Sequence, residues 1–195
     1  MLCLHVVVTS IQEILLQRRT VHEYRPDPVP EAVLRRALEA ALAAPCHRMT
    51  EPWRFVRVGG VTRLRLADIA VRVKQESAAQ PLSETAVAKA RAKVLDPPEL
   101  VVVSRVRHRD EAVEREDYAA IACAIENLSL SLWAEGVGSK WSTGRVIAAA
   151  ETYATLGVQP AEEEIVAFVW IGMPAGEAPK PKRRRGLNEV LRELP

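Results

Sequence analysis

"DYAAIACAIENLSLSLWAE", residues 117–135, is apolar on nearly every side, and Ile121, Ile125, Leu128 and Leu132 recur at helical spacing as its central stripe. A helix that apolar all round lies in the middle of something. Gly136 stands in the C′ place that closes such a helix. Upstream, "ELVVVSRV" (99–106) is a continuous β-branched run, the pattern of a strand covered on both faces. Downstream, "GVGSKWSTG" (136–144) reads as a short strand and turn, and "EEIVAFVWIG" (163–172) as a final strongly β-branched strand.

The N-terminal half supplies helices first. Ser10 and Glu13 have capping-box spacing, and Ile11, Ile14 and Leu15 mark the apolar face of a helix running to about Arg18. A second helix begins at Pro30, carries Val33, Leu34, Ala37, Leu38, Ala41 and Leu42, and is ended by Pro45. Trp53, Phe55, Val56 and Val58 form a strand stopped by Gly59 and Gly60. Residues 61–96 are helical and highly charged, and their mixed period predicts a surface excursion of one or two helices that stops at Asp96, Pro97 and Pro98. After the last strand comes a proline-rich basic linker, then a short amphipathic end with Leu187, Val190, Leu191 and Leu194. Helices and strands without regular alternation predict an α+β fold. The expected organisation is one domain over residues 10–195 behind an N-terminal extension, residues 1–9.

Composition excludes whole classes. The 195 residues suit one domain, and 27 basic against 25 acidic side chains leave no overall field for nucleic acid or a membrane surface. The opening "MLCLHVVVTS" is far shorter than the roughly 20 residues a membrane span needs. Three scattered cysteines, Cys3, Cys46 and Cys123, build neither a disulfide framework nor a paired-thiolate zinc site, and a reducing cytoplasm is their natural setting. The four histidines are spread too irregularly for a metal site. No phosphate-cradling glycine loop, serine elbow or HExxH is present.

Three clusters are odd as plain scaffold. "RRT" (18–20), with His22 two residues on, follows the first helix; its arginines either complement the negative helix end or hold an anion. "APCHRMTEPWRF" (44–55) is a proline-bracketed polar loop, in which the adjacent Cys46 and His47 suit pocket-lining better than a thiol and base pair. "KWSTG" (140–144) sets hydroxyls beside a tryptophan. The basic run "KPKRRR" (180–185) reads as a solvated or cofactor-facing tail, with a nucleic-acid or acidic-partner contact as the competing reading.

In this order and at these distances, "RRT", "PVP" (28–30), "APCHRMTEPWRF" and "SKWSTG" (139–144) resemble the nitroreductase family of flavin-dependent oxidoreductases, from about Ser10 to the C-terminus. The closest pattern is the shorter branch with an APxHxxxQPWRF segment. The resemblance implies a central, mostly antiparallel sheet packed by helices, and an intertwined homodimer with one FMN per subunit near the interface. It implies that Arg18, Arg19 and Thr20 hold the phosphate and ribityl side, with Lys182 and Arg184 as a late basic pair. Trp141, Ser142, Thr143 and Gly144 would lie along the flavin, and Pro45, Cys46 and His47 would come from the other subunit. Arg19 and His22 are the candidates to face the anionic reduced ring. NADH or NADPH would supply hydride and a small electron-poor molecule would accept it, with no protein nucleophile and no metal. Relatives that carry out oxidation, dehalogenation or flavin fragmentation are the alternative within the same fold. Two departures stand out: Cys46 replaces a small polar residue or acid, and Glu51 replaces glutamine.

Overall fold

The structure is a computed structural model, and it describes residues 10–177, 179–180 and 183–194. The expected extension, residues 1–9, and Lys182 lie outside the described residues. Four strands, β1 (Trp53–Arg57), β2 (Glu99–Val106), β3 (Gly138–Ser142) and β4 (Glu163–Gly172), form one sheet in the order β1-β2-β4-β3. Every pairing is antiparallel. The two central strands face Val101 to Val169 and Val103 to Ala167. Helices cover both sides of the sheet, so both faces of these strands must be apolar; this is why neither strand shows the polar alternation of a half-exposed one.

Among the described residues, α-helices form two layers. On one side lie α1 (Ile11–Gln17), α2 (Glu31–Leu42) and α5 (Glu111–Ala134). Here Leu34 and Ala41 of α2 pack with Ile121, Ile125, Leu128 and Leu132 of α5 against Val101, Val103 and Val169. Burying each of these large side chains contributes roughly 1.5–3 kcal/mol. On the other side lie α3 (Gly60–Glu76), α4 (Glu84–Leu95), α6 (Arg145–Ala148) and α7 (Ala150–Leu156). Leu66, Val73 and Val94 there meet Leu100, Val102, Phe168 and Trp170 in a second core.

The local signals of the sequence hold at most boundaries. Ser10 caps α1 reciprocally with Glu13, Pro30 is the N-cap of α2, and Gly136 adopts φ 74° just beyond α5. Three expectations change. Residues 61–96 are not a surface excursion but the second layer itself; Arg63 is buried in their stripe, donating to the carbonyls of Val94, Leu95 and Pro98, and so breaks the apolar period. Helix α5 starts at Glu111 rather than near Asp117, because the Asp110 carboxylate accepts from the Ala112 amide at 2.8 Å and caps it. Helices α6 and α7 add to the expected elements; at 4 and 7 residues they are too short to show a period in sequence. Among the described residues, no helix is long and apolar enough to cross a membrane.

Candidate functional site

Residues 18–25 leave α1 and run along the sheet edge. The amide of Val21 donates to Ser139 at 3.1 Å, the amide of Arg25 donates to Met173 at 2.8 Å, and Thr20 pairs in parallel with Ser139. Gly138 permits this approach: a Cβ there would stand 2.4 Å from Cγ2 of Val21. The Tyr24 hydroxyl donates to the Val21 carbonyl at 2.8 Å and lies 3.3 Å from that of Trp170, and burial pushes its phenol pKa up. The first and third sequence clusters are thus neighbours. Arg18, Arg19, Thr20 and His22 lie beside the strand that carries Trp141 and Ser142 into Thr143 and Gly144. Gly144, at φ 130° and ψ −171°, occupies a conformation that side chains rarely adopt and turns the chain into α6.

The two arginines have different partners. Arg18 Nε donates to Glu126 of α5 at 3.2 Å. Arg19 Nη1 donates to the carbonyls of Leu16 and Arg18, each at 2.8 Å, which is the helix-end role. Its Nε is buried without a hydrogen-bond partner among the described residues. Such an orphaned donor in a cationic group is costly unless an acceptor arrives. Ser142 Oγ accepts from the Trp170 indole at 3.0 Å, and Trp141 is 37% exposed.

Beside this edge, two adjoining cavities of about 300 and 340 Å³ open between the sheet and the second helical layer. The first is lined by Lys74, Lys93, Lys140, Ser142, Thr143 and Trp170, among others; the second by His22, Tyr24, Lys89, Lys93, Lys140 and Trp170, among others. The lysines carry no signal of their own in the sequence. Lys89 and Lys93 are one helical turn apart, so they share a face of α4, but only the fold sets that face beside Lys140. Burial, with the charge of Lys93 adding to it, holds the Lys140 ammonium below the usual lysine range.

The middle cluster is elsewhere. Pro45, Cys46 and His47 line a third, open cavity of about 470 Å³ against α5, with Glu116 and Cys123. The loop is held in an unusual shape: Arg48, Met49 and Glu51 have φ of 57°, 52° and 45°. Cys46 Sγ accepts from the Glu51 amide at 3.2 Å and lies 3.3 Å from Thr50 Oγ1, while His47 Nε2 is 3.8 Å from Glu116. Arg54 donates to the Glu51 backbone carbonyl at 3.3 Å. Arg184 is exposed, and no hydrogen bond or ion pair among the described residues joins it to Arg18–Thr20.

An antiparallel sheet between two helical layers, with lysine- and tryptophan-lined cavities beside its edge, defines an α+β protein. The chain belongs to the nitroreductase family: residues 15–173 match the Nitroreductase family profile. It is 29% identical over 185 residues to YfhC of Bacillus subtilis (strain 168), a provisionally named NAD(P)H nitroreductase, covering 94% of each chain. It is 33% identical to the 5,6-dimethylbenzimidazole synthase of Rhodospirillum rubrum, across 86% of this chain and 83% of that one. The crystal structure of a nitroreductase-like family protein from Bacillus cereus superposes with a TM-score of 0.81 at 26% identity, covering 95% of this chain and 96% of that one.

Proposed function

We propose that the protein is an FMN-dependent NAD(P)H oxidoreductase that passes two electrons to an electron-poor acceptor such as a nitro or quinone compound. The observation that carries this reading is the meeting of residues 18–22 with β3 at the edge of two lysine-lined cavities. FMN, when bound, supplies hydride uptake and release. The donors present suit that group. The Nε of Arg19 is buried and has no hydrogen-bond partner among the described residues, and a guanidinium with a neighbouring hydroxyl matches a phosphate.

In this reading Arg18, Arg19 and Thr20 hold the phosphate and ribityl side, with Lys182 and Arg184 contributing charge from the tail. Trp141, Ser142, Thr143 and Gly144 lie along the ring. Lys93 and Lys140, which line both cavities, join Arg19 and His22 as the candidates to face the ring where it gains negative charge on reduction. Pro45, Cys46 and His47 serve the site of a second copy. The homodimer is supported by apolar surface left open in one copy: Ile11 and Leu16 of α1 are 75% and 66% exposed, and Tyr118 and Cys123 of α5 face outward. Sedimentation tests that part, and a monomer contradicts it.

The deciding experiment is an absorbance spectrum of protein supplied with FMN, desalted, and mixed anaerobically with NADH or NADPH. Retained flavin that bleaches supports the reading. Arg18→Ala loses FMN far more readily than Arg36→Ala, and equal retention removes Arg18 from the phosphate site. A second reading, specialised flavin chemistry, draws on the 33% identity to the 5,6-dimethylbenzimidazole synthase. Retention without bleaching favours it.

A further inference from the structure

Four lysines from three elements surround the two adjoining cavities: Lys74 of α3, Lys89 and Lys93 of α4, and Lys140 of β3. Among the described residues, the only carboxylates lining either space are Glu23 and Asp96, both in the second. Among those same residues every ion pair draws its cation from arginine or histidine, so none of these lysines stands in a direct ion pair. Lys74 Nζ donates to the Ala86 carbonyl at 3.2 Å, a neutral partner at the exposed surface. The floor beneath is apolar. Phe168 and Trp170 meet edge to face at 5.7 Å, with Val146 and Ile147 beside them in the first cavity.

An apolar floor under such lysines suits one kind of ligand well. Burial first, and the neighbouring charge of Lys93 second, hold the Lys140 ammonium below the usual lysine range, so an anion placed here relieves part of that cost. A flat aromatic body covers the indole face, and an anionic substituent relieves the repulsion. Lys93 and Lys140 line both cavities and are used by the cofactor reading above. Lys74 lines only the first cavity and Lys89 only the second, and neither has a role in that reading.

We propose that Lys74 and Lys89 recognise a carboxylate or sulfonate on an aromatic acceptor, so that the enzyme prefers anionic nitroaromatics and quinones over their neutral counterparts. This rests on the oxidoreductase reading. Lysine fits this role because its ammonium is a point charge on a flexible stem, and it engages anions at varied positions on a ring where a guanidinium fork would demand one geometry.

The test compares para-nitrobenzoate with nitrobenzene, and naphthoquinone sulfonate with naphthoquinone, on the FMN-loaded enzyme. The expected preference for the anion is about threefold in kcat/KM, the scale of one partly screened ion pair at either lysine, carried by KM and weakened by salt. Lys74→Ala/Lys89→Ala abolishes the preference, while Arg35→Ala, a loss of positive charge on α2, keeps it. Equal kcat/KM for both members of each pair overturns the proposal, as does a preference that survives in the double variant. A change in KM for NADPH alone also overturns it, by assigning the lysines to the donor's phosphate. If the double variant fails to fold, Lys74→Gln and Lys89→Gln replace it, each expected to lose part of the preference. Calorimetric titration of para-nitrobenzoate into protein with and without FMN gives a readout independent of turnover. Salt-sensitive binding lost in the lysine variants supports the anion site even where FMN retention fails, and no binding in either form sinks it.

Discussion

Thr50 donates its hydroxyl to Oδ1 of the buried Asp117 at 2.5 Å, tying the loop after α2 to the long helix α5. The Cys46 sulfur lies 3.3 Å from the same Thr50 Oγ1. Sulfur, hydroxyl and carboxylate form one chain, and it holds a loop with three left-handed residues that would otherwise relax. Thr50→Val takes the hydroxyl donor away from the buried carboxylate and is expected to cost about 1–3 kcal/mol, with Thr50→Ser close to wild type. Alkylation at Cys46, followed by mass spectrometry, becomes faster in the valine variant. An unchanged melting temperature and alkylation rate would show the chain to be idle.

Gly138→Ala tests the close approach at the sheet edge. The new methyl would overlap both Cγ2 and Cβ of Val21, at 2.4 and 2.8 Å, so backbone must shift. Overpacking of this kind costs about 1–3 kcal/mol. The displaced segment carries Arg18–Thr20, so FMN retention falls along with thermal stability. Gly136→Ala is the contrasting change: open space surrounds it, and its cost comes only from φ 74°. It lowers stability and spares retention.

Lys140→Met separates stability from binding. The folded-state pKa of Lys140 lies below its unfolded value of about 10.4, so the unfolded chain binds the proton more tightly. The cost is fully present at pH 7 and fades as pH climbs through the lowered pKa toward about 10.4. The methionine variant therefore melts higher than wild type without ligand at pH 7, and that advantage shrinks in alkaline buffer. With FMN supplied, it retains less. A lower melting temperature without ligand at pH 7 would contradict the assigned sign.

The strands and α5 were legible because burial on all sides leaves an uninterrupted apolar run, which no surface element imitates. The second helical layer was not. Its stripe contains Arg63, whose guanidinium is satisfied by carbonyls at the end of α4, and α4 buries only Ala90 and Val94. A charged residue used as a cap looks, in sequence, like a solvated face. The same ambiguity hid Lys74, Lys89 and Lys93, each exposed on a helix and made relevant only by the sheet edge it stands over. For Arg19 the structure shows the helix-end role, with Nη1 closing the end of α1, while Nε has no hydrogen-bond partner among the described residues.

The pairing of Thr20 with Ser139 has a consequence for the nascent chain. Synthesis is vectorial, so the arginines emerge long before the strand they lie against, and β4, which anchors that strand, emerges later still. Until then the ribosome carries a polypeptide whose α1 shows its oily face and whose cationic edge has no second wall. Closing so long a loop is slow relative to local helix formation. In the proposed reading ligand capture is thus a late event in the life of each molecule, and free FMN raises the yield of native protein by trapping chains that have already closed that seam.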